Sequence, residues 1–308
     1  MIKFEKITGD TYKAERLEQP FKFNNVKYID YFNTAIEVAI KDLPFDGLIK
    51  YKNGDAPETI QELFLNYNYG SPAPWLGKLL PQGYGFTHFK PNDIYKKCQT
   101  ENGIQKKLLD LYDAGFFTRY KQITKQPETL PNNYILVVMQ NTGDTVWYRK
   151  NFTNLANEIM AWSRENKRTI VFKWHNGCID HPNPSRWFNE LTEKSKYASI
   201  DYTSPLSILI KNCDMVWTAS SMSGIEALIC NKPVSIFGET EYMEMTTVSN
   251  SPEDAIKAVV PKDLEQWLTY YVRKYCINIY AKDSSEQIKN RVIHYFEKGL
   301  PLDELILS

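Results

Sequence analysis

Between residues 134 and 238 the chain alternates two patterns. Short apolar runs such as 134–140 (Tyr-Ile-Leu-Val-Val-Met-Gln) are rich in β-branched residues and predict buried strands. Between these runs, apolar positions recur every three or four residues and predict helices with one buried face. The order reads strand 134–140, helix 151–165, strand 169–173, helix 184–195, strand 198–201, helix 205–212, strand 214–218, helix 221–230 and strand 233–237. Such alternation builds a doubly wound parallel sheet covered by helices.

The N-terminal half is weaker but similar. The first 25 residues show no clear pattern. Then come strand 26–32, helix 34–41, a break at Pro44, strand 46–51 and helix 56–66. Residues 67–96 crowd Tyr67, Tyr69, Trp75, Tyr84, Phe86 and Phe89 among glycines and prolines. That segment reads either as an aromatic loop packed on its domain or as an acceptor-binding surface, because sugars and bases stack on exposed rings. A helix near 103–114 follows. Residues 119–133 are polar with two prolines and predict a linker. The fold class expected is therefore α/β with two Rossmann-like domains. The first spans 1–120, the linker 121–133, and the second 134–308, including helices near 262–274 and 284–298.

Composition narrows the partners. The 37 basic and 37 acidic residues balance, so no global charge draws the chain to nucleic acid or an anionic membrane. A local basic face stays open, because Lys90, Lys96, Lys97, Lys106, Lys107, Arg119, Lys121 and Lys125 concentrate near the aromatic segment. No window reaches bilayer length, and Met1-Ile-Lys-Phe-Glu-Lys starts no signal peptide. The five cysteines are scattered and odd in number, which predicts reduced thiols and a cytoplasmic protein. No Asp-x-Asp or His/Cys cluster offers a metal site. Gly-x-Gly-x-x-Gly, the P-loop and Gly-x-Ser-x-Gly are all absent.

The most informative stretch is 214–238. A strand leads into Ser220, Ser221, Ser223 and Gly224 where a helix begins, and Glu226 lies in its first turn. A helix start offers unpaired N–H groups and partial positive charge, small side chains admit a phosphate, and serine hydroxyls add donors. Glu226 is placed to meet a ribose hydroxyl. Simple serine capping is the competing reading. The string Ser220-Ser221-Met222-Ser223-Gly224-Ile225-Glu226-Ala227-Leu228, then Lys232-Pro233-Val234, then Phe237-Gly238, resembles the C-terminal motif of capsule-polysaccharide-type glycosyltransferases. That group has a GT-B-like fold and includes Kdo transferases.

The resemblance implies two domains facing a cleft, a C-terminal helix such as 284–298 crossing back to the first domain, and a nucleotide-sugar donor held by the second domain. It implies roles at two further strand ends. Gln140, Gly143, Asp144 and Thr145 match a Gln followed by Gly-Asp, where ordinary turn chemistry is the alternative. Lys173 and His175 match Lys-x-His-Pro, with the histidine meeting the donor phosphate and helping the leaving group. Asn176 replaces the proline of that pattern, and His181-Pro182 is a competing candidate. Gly238 and Tyr242 extend the rim.

The function expected is metal-independent transfer of a sugar from a UDP-, CMP- or GDP-linked donor to a hydroxyl of a surface saccharide, with no other cofactor. The resemblance implies that the general base comes from the N-terminal half, with Asp55, His88 and Asp93 as candidates. Alternatives are a phage DNA glycosyltransferase acting on a base such as 5-hydroxymethylcytosine, a nucleotide-sugar epimerase, and a non-catalytic nucleotide-sugar binder.

Overall fold

The structure is a computed structural model that describes residues 1–5, 22–23, 26–51, 64–69, 73, 75–80, 93–117, 129–140, 152–175, 193 and 195–298. The chain forms two units. The first comprises Met1–Lys121 together with Glu265–Ser308, and the second Gln122–Leu264. The sequence division at 1–120, 121–133 and 134–308 differs from this at its C-terminal end, where the chain rejoins the first unit. The expected return of the C-terminal helices is thus found.

The N-terminal segment supplies β1 (Ile2–Glu5), β2 (Lys22–Phe23), β3 (Val26–Lys27), β4 (Gly47–Tyr51), β5 (Phe64–Tyr69) and β6 (Leu76–Leu80). The middle supplies β7 (Tyr134–Val138), β8 (Thr169–Lys173), β9 (Ala198–Asp201), β10 (Met215–Thr218), β11 (Val234–Ile236) and β12 (Thr247–Val248), and the returning chain adds β13 (Ile277–Asn278).

In the first unit the sheet order is β1-β4-β5-β6-β13. β1, β4 and β5 are parallel, whereas β6 runs antiparallel to both β5 and β13. The helix Tyr28–Ile40 starts earlier than the sequence reading, and the strand read at 26–32 shrinks to β3. Phe32, Ala35, Ile36 and Ala39 share one buried face, so helical spacing overrides the β-propensity of this segment. The helix read at 56–66 falls mostly outside the described residues, and its end, Phe64–Asn66, lies in β5. The core of this unit joins Phe32, Ile36, Ile49 and Leu79 to Ile277, Ile279, Ile288 and Val292 of the returning chain.

That chain is bound by polar groups as well. Gln266 donates to the carbonyls of Lys96 and Cys98, and the Glu101 N–H donates to Thr269. The helix Leu264–Tyr270 continues into a π-helical turn, Tyr271–Tyr275. Arg291, on the helix Ser284–Lys298, covers its carbonyl end by donating to the Tyr275 carbonyl at 2.8 Å and to that of Lys274.

Glu101 accepts from Arg273 Nε at 2.9 Å and Lys107 Nζ at 2.7 Å. These hydrogen bonds, Arg273 first, hold its carboxyl at about 2 instead of 4.5. A depressed carboxylate stabilises the fold above its unfolded value and loses that contribution as protons return. The first unit is therefore expected to weaken as pH falls from about 4.5 towards 2. Glu101→Gln should flatten this dependence in acid denaturation followed by tryptophan fluorescence. An unchanged acid transition would sink the assignment.

In the second unit all six strands are parallel, in the order β12-β11-β10-β7-β8-β9. Every residue of β7 and β10 is buried, as a sheet covered on both faces requires. Helices Phe152–Asn166, Leu206–Asn212 and Ser223–Ile229 agree with the sequence reading to within a few residues. The helix read at 184–195 lies almost wholly outside the described residues.

Candidate functional site

Strand order in the second sheet reverses between β7 and β10. At such a point the two strands send their chains to opposite faces, which opens a crevice at their carboxyl ends. β7 ends towards Gln140 and β10 ends towards Ser220. Thr218 Oγ1 ties the two strands by donating to the Val138 carbonyl at 3.1 Å. Gln140 ties the loops. With its amide turned so that both polar atoms are satisfied, its oxygen accepts from Ser221 N at 2.9 Å and from Ser220 N and Oγ at 3.2 Å.

The turn that follows is closed by its own hydroxyls. Ser221 and Ser223 Oγ atoms lie 2.5 Å apart, and Ser221 Oγ accepts the Ser223 N–H at 3.3 Å. The Gly224 N–H donates to the Ser221 carbonyl. The helix has seven residues, and the N–H groups of Ser220, Ser221, Ser223 and Gly224 already have acceptors. The backbone part of the phosphate argument is correspondingly reduced, and the hydroxyls carry more of it.

The far end of this helix explains the rest of the motif. Asn231 adopts a left-handed φ of 57°. Its N–H donates to Leu228 and that of Lys232 to Ala227, which together form a Schellman cap. Lys232 Nζ donates to the Cys213 carbonyl at 2.8 Å, anchoring the preceding helix. Asn-Lys-Pro is thus a helix stop that returns the chain into β11.

Tyr242 is fully buried and donates its phenol to the Ser221 carbonyl. Its ring packs against Gly224, where an added Cβ would lie 2.4 Å from the phenol oxygen. Gly224 is glycine because of this ring, since its φ is not left-handed. Tyr242 therefore supports the turn from within; the rim position expected of it is not where the structure places it. Gly238 is buried and Glu226 half-buried.

Lys173, at the end of β8, is 5% exposed and its Nζ lies 3.2 Å from Asp201 Oδ1 at the end of β9. Burial lowers the lysine pKa against the pull of Asp201. Burial raises that of Asp201, but hydrogen bonds from Ser204 and the lysine outweigh it and leave it low. This pair, a buried lysine and a half-buried aspartate, joins two neighbouring strand ends. His175 follows at a half-buried position just past β8.

Asp55, His88, Gly143, Asp144, Thr145 and His181 lie outside the described residues. Asp93 is exposed, with φ 54°, and pairs with Lys96 at 2.9 Å at the start of a 3-10 turn. Lys106 pairs with Asp110 and Lys107 with Glu101. Three lysines of the supposed basic face are thus matched by acids, and nothing here favours nucleic acid. Among the described residues no helix is long and apolar enough to cross a membrane, and no group of three or more metal-ligating side chains occurs.

Sequence reasoning missed Thr218 and Asp201. Both end predicted strands, and a polar residue closing a strand was the signal available.

A family model described as capsule polysaccharide biosynthesis protein matches residues 88–278. Among solved structures, the β-Kdo 2,7-transferase of Thermosulfurimonas dismutans KpsC is similar, with a TM-score of 0.52 and 18% identity over 89% of this chain and 97% of that one. The β-Kdo 2,4-transferase of the same protein gives 0.45 and 14% over 76% and 85%. A UDP-GlcNAc 2-epimerase of Methanocaldococcus jannaschii gives 0.38 and 13% over 88% and 82%. The first likeness bears on the fold, which is α/β and GT-B-like. No curated protein sequence matches the chain.

Proposed function

This chain belongs to the capsule polysaccharide biosynthesis family, and from that premise we propose that it is a glycosyltransferase acting on a surface saccharide, with a nucleotide sugar as donor. The supporting observation is the hydroxyl-lined turn at Ser220–Ser223, tied through Gln140 to β7 where strand order reverses. That position suits the phosphate of a nucleotide. In the reaction the acceptor oxygen bonds to the anomeric carbon as the bond from that carbon to the donor phosphate breaks. The acceptor proton passes to a base, with Asp55 and His88 as candidates, and the bonding electrons leave with the phosphate. The serine hydroxyls and His175 would stabilise that charge without a metal ion. Glu226 would hold the ribose. The kinship supports a saccharide acceptor over DNA, and cytoplasmic chemistry fits a nucleotide-sugar pool.

A panel of UDP-, CMP- and GDP-sugars, each with and without capsule-type saccharide acceptors, tests this. Nucleotide release should require one donor and one acceptor and should persist in EDTA. His175→Ala should lower the rate on the order of a hundredfold, as expected for loss of leaving-group stabilisation. Release without acceptor would point to a hydrolase or epimerase, and loss of activity in EDTA would remove the metal-independent part.

A further inference from the structure

The first sheet has a carboxyl edge of its own. β1, β4 and β5 are parallel, and β13 runs the same way, because β6 is antiparallel to both β5 and β13. The carboxyl ends of β5 and β13 therefore flank the start of β6, where Tyr69 and Ile277 both pair with Gly77. Open α/β sheets bind ligands outside that edge. Trp75 stands there, one residue before β6.

The backbone at Trp75 is fixed. Its carbonyl accepts the Ile279 N–H at 3.1 Å, and the Leu76 N–H closes a turn onto the Ala73 carbonyl at 3.1 Å. The indole meets the Phe117 ring edge-on at 6.1 Å, and Phe117 in turn meets Tyr112 at 5.7 Å. Phe117 and Tyr112 are buried, whereas Trp75 is only half-buried. Its indole N–H has no acceptor among the described residues. Asn278 ends β13 in register with Leu76, beside this position, and is also half-buried. Its Oδ1 accepts the Tyr280 N–H at 3.1 Å, which orients the amide, and its Nδ2 has no acceptor among the described residues. The edge thus carries a braced aromatic ring and two unused neutral donors.

We propose that Trp75 and Asn278 form a saccharide subsite at the carboxyl edge of the first sheet. The indole packs against the C–H face of a sugar, and the indole N–H and the Asn278 amide donate to hydroxyl oxygens. This extends the surface-saccharide reading to named acceptor residues and rests on it for the identity of the occupant. An apolar partner would leave both donors unmet, at a cost. A phosphate is ordinarily met by arginine, lysine or a helix start. A sugar supplies an apolar face for the ring and oxygens for both donors.

Saturation-transfer NMR tests the subsite, using the full chain with methyl glycosides of galactose, glucose, N-acetylglucosamine and glucuronic acid, and with the capsule-type saccharides of the transfer panel. At least one should bind. Trp75→Leu should weaken that binding about tenfold, the scale of a lost aromatic stack. Trp75→Phe keeps a ring against Phe117 and drops the N–H, and should weaken it about threefold. Asn278→Asp keeps an oxygen for the Tyr280 N–H and loses the donor. It should weaken binding about fivefold, whereas a purely structural asparagine would be indifferent to the change. In transfer assays these variants should raise KM for the acceptor and leave kcat and KM for the donor within about twofold. If Trp75→Leu fails to fold, Trp75→Phe and Asn278→Asp decide. Saccharide binding unaltered in the variants, beside normal transfer by the unsubstituted protein, would overturn the subsite and leave the glycosyltransferase reading standing. Variants that lost affinity for CMP, UDP or GDP instead would also overturn it. So would an unsubstituted protein that binds no saccharide. Saccharide binding that depends on Trp75 and Asn278 without any transfer would support the subsite and strike only the transferase reading.

Discussion

Deleting residues 265–308 is expected to unfold the first unit and leave the second folded. The deleted segment supplies Ile277, Ile279, Ile288 and Val292 to the core built around Phe32, Ile36, Ile49 and Leu79. Full burial of such a side chain contributes about 1.5–3 kcal/mol, so four of them exceed roughly 6 kcal/mol. A whole domain is stable by only about 5–15 kcal/mol. The deletion also exposes the β6 edge that β13 covers, and removes the helix Leu264–Tyr270 on which the 96–103 segment is hydrogen-bonded. Near-UV circular dichroism and proton NMR of the 1–264 chain should show a folded second unit beside an uncooperative first. A milder control is Ile288→Ala, which should cost about 2–5 kcal/mol as a buried large-to-small change. Two cooperative transitions surviving in the shortened chain would refute the account.

Gly224→Ala is expected to destabilise the second unit, although glycine to alanine inside a helix normally stabilises by about 0.5–1 kcal/mol. The added methyl would sit 2.4–2.6 Å from the ring and phenol oxygen of Tyr242. Carbon atoms do not approach so closely, and the ring has nowhere to go, being fully buried and hydrogen-bonded to Ser221. Overpacking of this kind costs about 1–3 kcal/mol, enough to outweigh the helical gain. The sign is therefore the test. Urea denaturation should give a lower midpoint for Gly224→Ala. Tyr242→Phe should not relieve it, because the ring carbons stay in place. Tyr242→Ala should make the glycine substitution harmless or favourable, which a double-mutant cycle would register. A higher midpoint for the single variant would mean that the ring has room to move.

The second sheet was readable from sequence because its strands are continuous apolar runs with helical spacing between them, as in 134–138 and 169–173. The first sheet was less so. β1 is short, and β5 reads Phe-Leu-Asn-Tyr-Asn-Tyr, whose asparagines and neighbouring prolines suggest a loop until β4 and β6 flank it. β13 has two residues and exists only through its pairing with β6. At the site, Ser220, Ser221 and Ser223 were visible as a serine cluster at a strand-to-helix turn, a pattern that simple capping also produces. The Gln140 link joins residues 80 apart, so only the fold reveals what it touches. Tyr242 was placed correctly along the chain and on the wrong side of the turn, because sequence does not say which way a loop aromatic faces. Lys173 was named for its charge, but the half-buried Asp201 opposite it had already claimed that charge.

The first unit is assembled from two separated stretches, Met1–Lys121 and Glu265–Ser308, whereas the second is a single uninterrupted stretch. During translation the ribosome delivers everything the second unit needs before it has made the last strand and helix of the first. The middle of the chain is thus completed ahead of its beginning, against the usual N-terminal-first order. Nascent chains stalled once residue 264 has cleared the exit tunnel should resist protease in their middle and be cut near their start. Phe32, Ile36 and Ile49 must wait, with their apolar face uncovered, for Ile277, Ile279, Ile288 and Val292 to arrive.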